Sequence, residues 1–187
     1  KGTVVNLYLQ FLEVYGSAYY INMTSVIEQV LRGIFDVYDI AAMLIIYYRA
    51  LQKKPDDEFG QIFIDEAQDF GPIVYYALRT VLPECYFTIM GDVSQNVNYE
   101  CGMNEWNDMR EKIFDGNTDQ FRVLAKSYRN TIEISEFAGT ILSSASRGAY
   151  KIEPVIRHGA PVHFIESISK EEAAGISVDI LTDMQQK

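Results

Sequence analysis

The strongest constraint in this chain is the run Gln61-Ile62-Phe63-Ile64, which passes without a break into Asp65-Glu66. β-Branched and aromatic residues packed into so short a run favour a strand, and the carboxylates mark its end. Tyr86 to Met90 repeats the texture and closes in Gly91-Asp92. Between the two runs, Pro72 suits the first turn of a helix predicted to reach about Leu82. Strand, helix, strand and helix in that order predict an α/β fold, a parallel sheet with helices packed on it. In such sheets ligands bind at the carboxyl ends of the strands, which is where Asp65, Glu66 and Asp92 fall.

Ahead of this pattern, residues 1–55 read as helical. Val26, Ile27, Val30, Leu31, Ile34 and Phe35 recur at helical spacing behind Thr24 as N-cap, and a second helix is predicted from about Asp39 to Lys53. The polar stretch Lys53 to Gly60 breaks the periodicity and serves as a connection. Downstream, Phe121 to Leu124 is a candidate third strand. Ile134, Phe137, Ala138, Ile141, Leu142 and Ala145 then form one stripe of a helix. Its start, Asn130-Thr131-Ile132-Glu133, has the form of a capping box with Asn130 as the cap. Composition shifts at Ser143 to Gly148; beyond it Pro161 to Glu166 is predicted as a strand and Lys170 to Met184 as a helix. The expected organisation is a helical segment over 1–55, a sheet-bearing domain over 56–147 and the opening of another domain over 148–187.

The 187 residues carry a formal net charge of −10, from 16 Lys and Arg against 26 Asp and Glu. Taken alone, such acidity opposes any general attraction to DNA, RNA or an anionic membrane. The longest apolar stretch, Ile40 to Tyr48, is too short to cross a bilayer, and nothing at the start reads as a secretory signal. Cys85 and Cys101 offer at most one pair and no metal-ligand spacing, so the cytoplasm is the expected location. A first residue of lysine fits an expectation that the chain is a piece of something longer.

Three polar clusters carry chemistry. Asp65-Glu66 behind an apolar strand has the form of a Walker B element, in which the Asp holds Mg²⁺ and the neighbouring carboxylate positions or deprotonates an attacking water. The alternative is that both carboxylates simply favour the positive end of the next helix. Gly91-Asp92-Val93-Ser94-Gln95 closes the next strand; Gly91 lets the backbone turn, and Asp92 and Gln95 set polar groups beside the first cluster. Leu124 to Asn130 places Tyr128-Arg129 directly before a capped helix. An arginine there has the planar fork that grips a phosphate; the alternative is a surface arginine paired with one of the many acids.

Asp65-Glu66-Ala67-Gln68-Asp69, Gly91-Asp92-x-x-Gln95 and Leu124-x-x-x-Tyr128-Arg129 follow in order, each at a predicted strand-to-helix junction. Together they resemble motifs II, III and IV of the UvrD/Rep-like superfamily 1 DNA helicases. Asp65 to Phe70 and Phe87 to Asn96 look closest to the helicase-IV/HelD-type branch, as does Tyr38 to Leu44 ahead of them. The resemblance spans roughly residues 24–165. It implies a partial RecA-like P-loop NTPase fold with a parallel sheet, preceded by a helical segment. It also implies an ATP-dependent helicase or translocase that uses ATP and Mg²⁺ to move on nucleic acid, with DNA as the expected partner. Carried over by position, Asp65 coordinates Mg²⁺, and Glu66 is the catalytic carboxylate, reaching the metal through water. Gln95 senses the γ-phosphate, and Arg129 contacts it and stabilises charge in the transition state. Gln68, Asp69, Asp92 and Tyr128 support the nucleotide site.

The departures from that pattern are specific. No GxxxxGK[ST] occurs in the sequence, so the nest and lysine that cradle the β- and γ-phosphates are missing, as are the later motifs of the second motor domain. Asn98 stands where the family often has an aromatic residue, with Tyr99 one place on, and Ser127 replaces the usual asparagine before Tyr128-Arg129. The chain alone is therefore expected to be inactive as an ATPase and to bind DNA weakly. A second expectation is an interaction module of a HelD-type RNA polymerase-binding factor, since the acidity and the tyrosine-rich segment before residue 55 suit a protein partner. A third, independent of any family, is two-metal phosphoester hydrolysis at Asp65, Asp69 and Asp92. Trp106 reads as a half-buried helix residue in preference to a base-stacking group. The isolated His158 and His163 lack metal-binding partners.

Overall fold

A computed structural model describes residues 2–54, 58–98, 100–114, 119–124, 126–127, 129–145, 153–154, 157–165 and 169–185. Two compact units are present, Lys1–Arg122 and Val123–Lys187. Among the described residues the architecture is mixed α/β, with seven α-helices and two small parallel strand pairs. No helix among them is long and apolar enough to cross a membrane.

The first unit opens with α1 (Gly2–Tyr19), α2 (Thr24–Leu31) and α3 (Val37–Ile45), the last continuing into a π-turn over Ile46–Ala50. Tyr8 and Leu12, one turn apart on α1, bury against Val30 of α2, with Leu9, Ile27, Ala42 and Ile46 packed around them. A buried carboxylate ties these helices together. Asp36 caps α3 by accepting from the Tyr38 and Asp39 N–H groups at 2.8 Å each, and Asp39 returns the bond by accepting from the Asp36 N–H at 2.9 Å. The other Asp39 oxygen accepts from the Tyr8 hydroxyl at 2.6 Å. Asp39 is 5 % exposed, and charge-assisted bonds to both its oxygens offset the cost of burying it. Burial and the Asp39 carboxylate push the Tyr8 phenol well above the usual tyrosine range.

Two of the expected boundaries shift for local reasons. Thr24 lies inside α2 and does not cap it; the Asn22 side chain, two residues earlier, accepts from the Thr24 N–H at 3.0 Å. The second helix starts at Val37, where the Asp36–Asp39 box places it, and its π-turn ends at Ala50, short of Lys53.

β1 (Gln61–Ile64) pairs in parallel with β2 (Tyr86–Ile89), Gln61 opposite Tyr86 and Ile64 opposite Ile89. Between them runs α4 (Pro72–Val81), with its proline in the first turn. One face of the pair sets Ile64 and Ile89 against a core of Ala67, Tyr75, Met103 and Met109. On the same face Phe87 meets Phe114 at a 5.2 Å ring separation. The opposite face carries Phe63 and Tyr86, 67 % and 79 % exposed, so among the described residues this small sheet is covered on one side. α5 (Trp106–Lys112) brings Met109 into the core and leaves Trp106 half-buried against it.

In the second unit β3 (Lys126–Ser127) pairs in parallel with β4 (Glu153–Pro154), and α6 (Ile132–Ala145) and α7 (Lys170–Gln185) complete it. Phe121–Leu124 forms no strand; the pairing described is that of Lys126–Ser127. Residues 161–165 likewise form no strand among the described residues, and Glu166 lies outside them. α6 starts at Ile132, so Thr131 and not Asn130 precedes it. The Glu133 carboxylate is engaged with the segment opposite, 3.0 Å from His158 Nδ1 and accepting from the Gly159 N–H at 2.9 Å. These contacts, the histidine's first, hold the Glu133 pKa down to about 2.

The Tyr8–Asp39 bond sets a pH dependence. Tyr8 and Tyr75 both have phenol pKa values raised by burial, so their neutral forms stabilise the fold fully below pH 10.0, the ordinary tyrosine value. That stability is lost as pH rises from there through the raised folded values, at up to about 1.4 kcal/mol per pH unit for each phenol. Tyr8→Phe should lower the unfolding free energy by about 1–3 kcal/mol at neutral pH, because Asp39 keeps its burial and loses a donor. It should also flatten the alkaline limb, and urea titrations at neutral and alkaline pH measure both effects.

Candidate functional site

The carboxyl ends of β1 and β2 are locked together by the backbone. Met90 N–H donates to Ile64 O at 2.8 Å, and Ala67 N–H donates to Met90 O at 2.9 Å. The chain leaving β1 must reverse within two residues to make the second bond, and it does so through Glu66, whose φ of 49° and ψ of 41° are left-handed. For a residue with a Cβ that conformation is unfavourable by roughly 1–2 kcal/mol. A single 3₁₀ turn, Ala67–Asp69, follows, and α4 begins at Pro72.

Side chains then connect the two strand ends. Asp65 Oδ1 accepts from the Glu66 N–H at 2.9 Å, and Glu66 Oε2 accepts from Gln68 Nε2 at 2.8 Å. Gln68 Oε1 accepts from the Asp92 N–H at 2.9 Å. Asp92 caps its own 3₁₀ turn, Val93–Gln95, by accepting from the Ser94 N–H, and its second oxygen accepts from Gln95 Nε2, both at 2.9 Å. Asp65, Glu66, Gln68, Asp92 and Gln95 thus form one hydrogen-bonded series. Asp65, Glu66 and Gln95 lie exposed, whereas Gln68 is 3 % exposed.

Behind the series, Asn96, Asn98, Met103 and Asn104 brace the first turn. Asn96 Nδ2 donates to Met103 O at 3.2 Å and to Asn104 Oδ1 at 2.9 Å, and its Oδ1 accepts from the Asn98 N–H at 2.8 Å. The Met103 N–H donates to Gln68 O at 2.9 Å. Tyr75, fully buried, donates its hydroxyl to Ala67 O, and burial followed by the Asp69 charge pushes its phenol up. Asp69 itself is exposed at the end of the turn.

The remaining candidates sit elsewhere. Arg129 belongs to the second unit, where it is exposed just ahead of α6. Tyr128 and Tyr99 lie outside the described residues. His163 is exposed, and among the described residues no three His, Cys, Asp or Glu side chains form a group able to hold a metal ion. Asp65, Asp69 and Asp92 therefore do not make a two-metal ligand set. A single Mg²⁺ asks less, since it is typically held by one or two carboxylates with phosphate oxygens and water as the other ligands. Asp65 Oδ2, which has no hydrogen bond among the described residues, suits that role.

Three parts of the arrangement escaped the sequence. Gln68 reaches Asp92, the Glu66 backbone is left-handed, and Gly91 does more than permit a turn. A Cβ on Gly91 would lie 2.4 Å from Gln68 Oε1 and 2.9 Å from Ala67 N, so the glycine makes room for the buried amide. Gly102 does the same for Gln68 O, which a Cβ there would meet at 2.5 Å. Glycines flanking each polar cluster were the available signal. Neither a protein-family model nor a curated protein matches the chain.

Gly91→Ala should lower stability by about 1–3 kcal/mol through overpacking against the Gln68 amide. Gly60→Ala, where a Cβ meets nothing within 4 Å, should change it by no more than about 0.5 kcal/mol. Paired thermal unfolding of the two variants tests the difference.

Proposed function

We propose that this chain carries the metal-holding and water-positioning side of an ATP-hydrolysis site belonging to a UvrD/Rep-like nucleic-acid motor. The observation supporting this is the hydrogen-bonded adjacency of Asp65-Glu66 and Asp92–Gln95 at the carboxyl ends of two parallel strands. A Mg²⁺ held there would supply positive charge against that developing on the phosphates. Asp65 would hold the metal through Oδ2. Glu66, with one oxygen held by Gln68, keeps the other to orient an attacking water and take its proton. Gln95, fixed through Asp92, has its amide oxygen and second N–H to read the γ-phosphate.

The sequence holds no GxxxxGK[ST] cradle, so the reading assigns this chain the metal side of the site without the phosphate nest. Two outcomes follow. Mn²⁺, used in place of Mg²⁺, should broaden the NMR signals of Asp65 and Glu66 first, and Asp65→Asn should abolish that preference. The purified chain should not turn over ATP. Broadening with no preference for these residues would remove the metal assignment, and brisk turnover abolished by Glu66→Gln would contradict the divided site. With a net charge of −10, the chain should also bind DNA weakly, the strand-binding cations being supplied elsewhere in the motor.

A second reading, docking on RNA polymerase, is favoured by one observation. α1 presents a ladder of rings in contact, Phe11 stacked on Tyr15 at 5.5 Å and Tyr15 tilted against Tyr19 at 4.6 Å, with Phe11 50 % and Tyr19 64 % exposed. Immobilised chain should then retain purified RNA polymerase, and Tyr19→Ala should weaken retention; no retention would leave only the ATPase reading.

A further inference from the structure

We infer that Gln68 is a positioning residue that couples the Glu66 carboxylate to the Asp92–Gln95 turn, so that a change at either end is transmitted to the other. Its amide orientation is fixed by chemistry: the Asp92 N–H requires the oxygen, and the Glu66 carboxylate requires the nitrogen. The residue is 3 % exposed, which keeps it from touching substrate, so it acts only through its neighbours.

Gln68 is held at both levels. Its backbone oxygen accepts from the Met103 N–H at 2.9 Å, inside a loop braced by the Asn96 side chain. Its side chain fills space that Gly91 leaves vacant. Clamped in this way, the amide cannot follow one partner without changing its bond to the other. Displacing the 92–95 turn stretches the bond to the Asp92 N–H or rotates the amide, and rotation alters the bond it donates to Glu66. Hydrogen bonds in series also polarise one another. Glu66 is a sensitive receiver, because its left-handed backbone, φ 49°, is held in an unfavourable region by its surroundings. The functional sense of the coupling rests on the ATPase reading above. There Gln95 meets the γ-phosphate and Glu66 holds the water, so release of the phosphate would relax the water-positioning group.

The test uses the full chain, isotopically labelled and without nucleotide, and reads the Gln95 side-chain amide signal by NMR. Glu66→Ala should shift that signal, and Glu66→Gln, which keeps an acceptor oxygen, should shift it less. In a Gln68→Met background the shift caused by Glu66→Ala should vanish. Gln68→Asn, too short to span both partners, gives the same comparison if the methionine variant does not fold. A Gln95 signal indifferent to Glu66→Ala would overturn the proposal, as would a shift of equal size in the Gln68 variants. Perturbations that acted independently on Gln95 would instead add. Because no nucleotide or metal is present, coupling found without Mn²⁺ preference at Asp65 would indict the ATPase reading alone. Mn²⁺ preference found without coupling would indict Gln68 alone.

Discussion

The first unit depends on the register of two short parallel strands. With Ile64 opposite Ile89, the next backbone groups are placed so that Met90 bonds to Ile64 and Ala67 bonds to Met90. A slip of either strand by one residue would turn its own inward pair, Ile62 and Ile64 or Phe87 and Ile89, from the core to the other face. It would also pull Asp65-Glu66 and Asp92 out of reach of each other. Core packing and the polar series are therefore set by the same pairing.

The helical part obeys a similar economy. Asp39 uses one oxygen to close the start of its own helix and the other to take the Tyr8 hydroxyl from α1. A local capping motif thereby becomes a tertiary link, and a carboxylate that would be costly to bury finds a donor for each oxygen. In the second unit Glu133 works from the surface, binding the 157–159 segment to the start of α6.

What was legible in the sequence follows from how local each cause is. β1, β2 and α4 were readable because apolar runs and Pro72 act within a few residues. The expected caps fail because the path of each preceding loop sets where the helix begins. Thr24 falls inside α2, behind Met23, whose side chain makes no cap bond, and α6 begins at Ile132, one residue too late for Asn130 to cap it. The apolar runs Phe121–Leu124 and 161–165 have strand composition but find no partner among the described residues, and composition cannot supply one. The bond from the Asp92 N–H to Gln68 spans 24 positions and exists only through the strand register, so no pattern near Gln68 announced it. Gly91 was visible as a turn residue, but the amide occupying its side-chain space was not.

The left-handed backbone at Glu66 has a consequence for anyone engineering this chain. On conformational grounds that position prefers glycine, or asparagine after it, over any residue with a longer side chain. Glu66→Gly and Glu66→Asn would ease that backbone, but each would discard the carboxylate that accepts from the Gln68 amide. Backbone ease and chemistry therefore pull this single position in opposite directions.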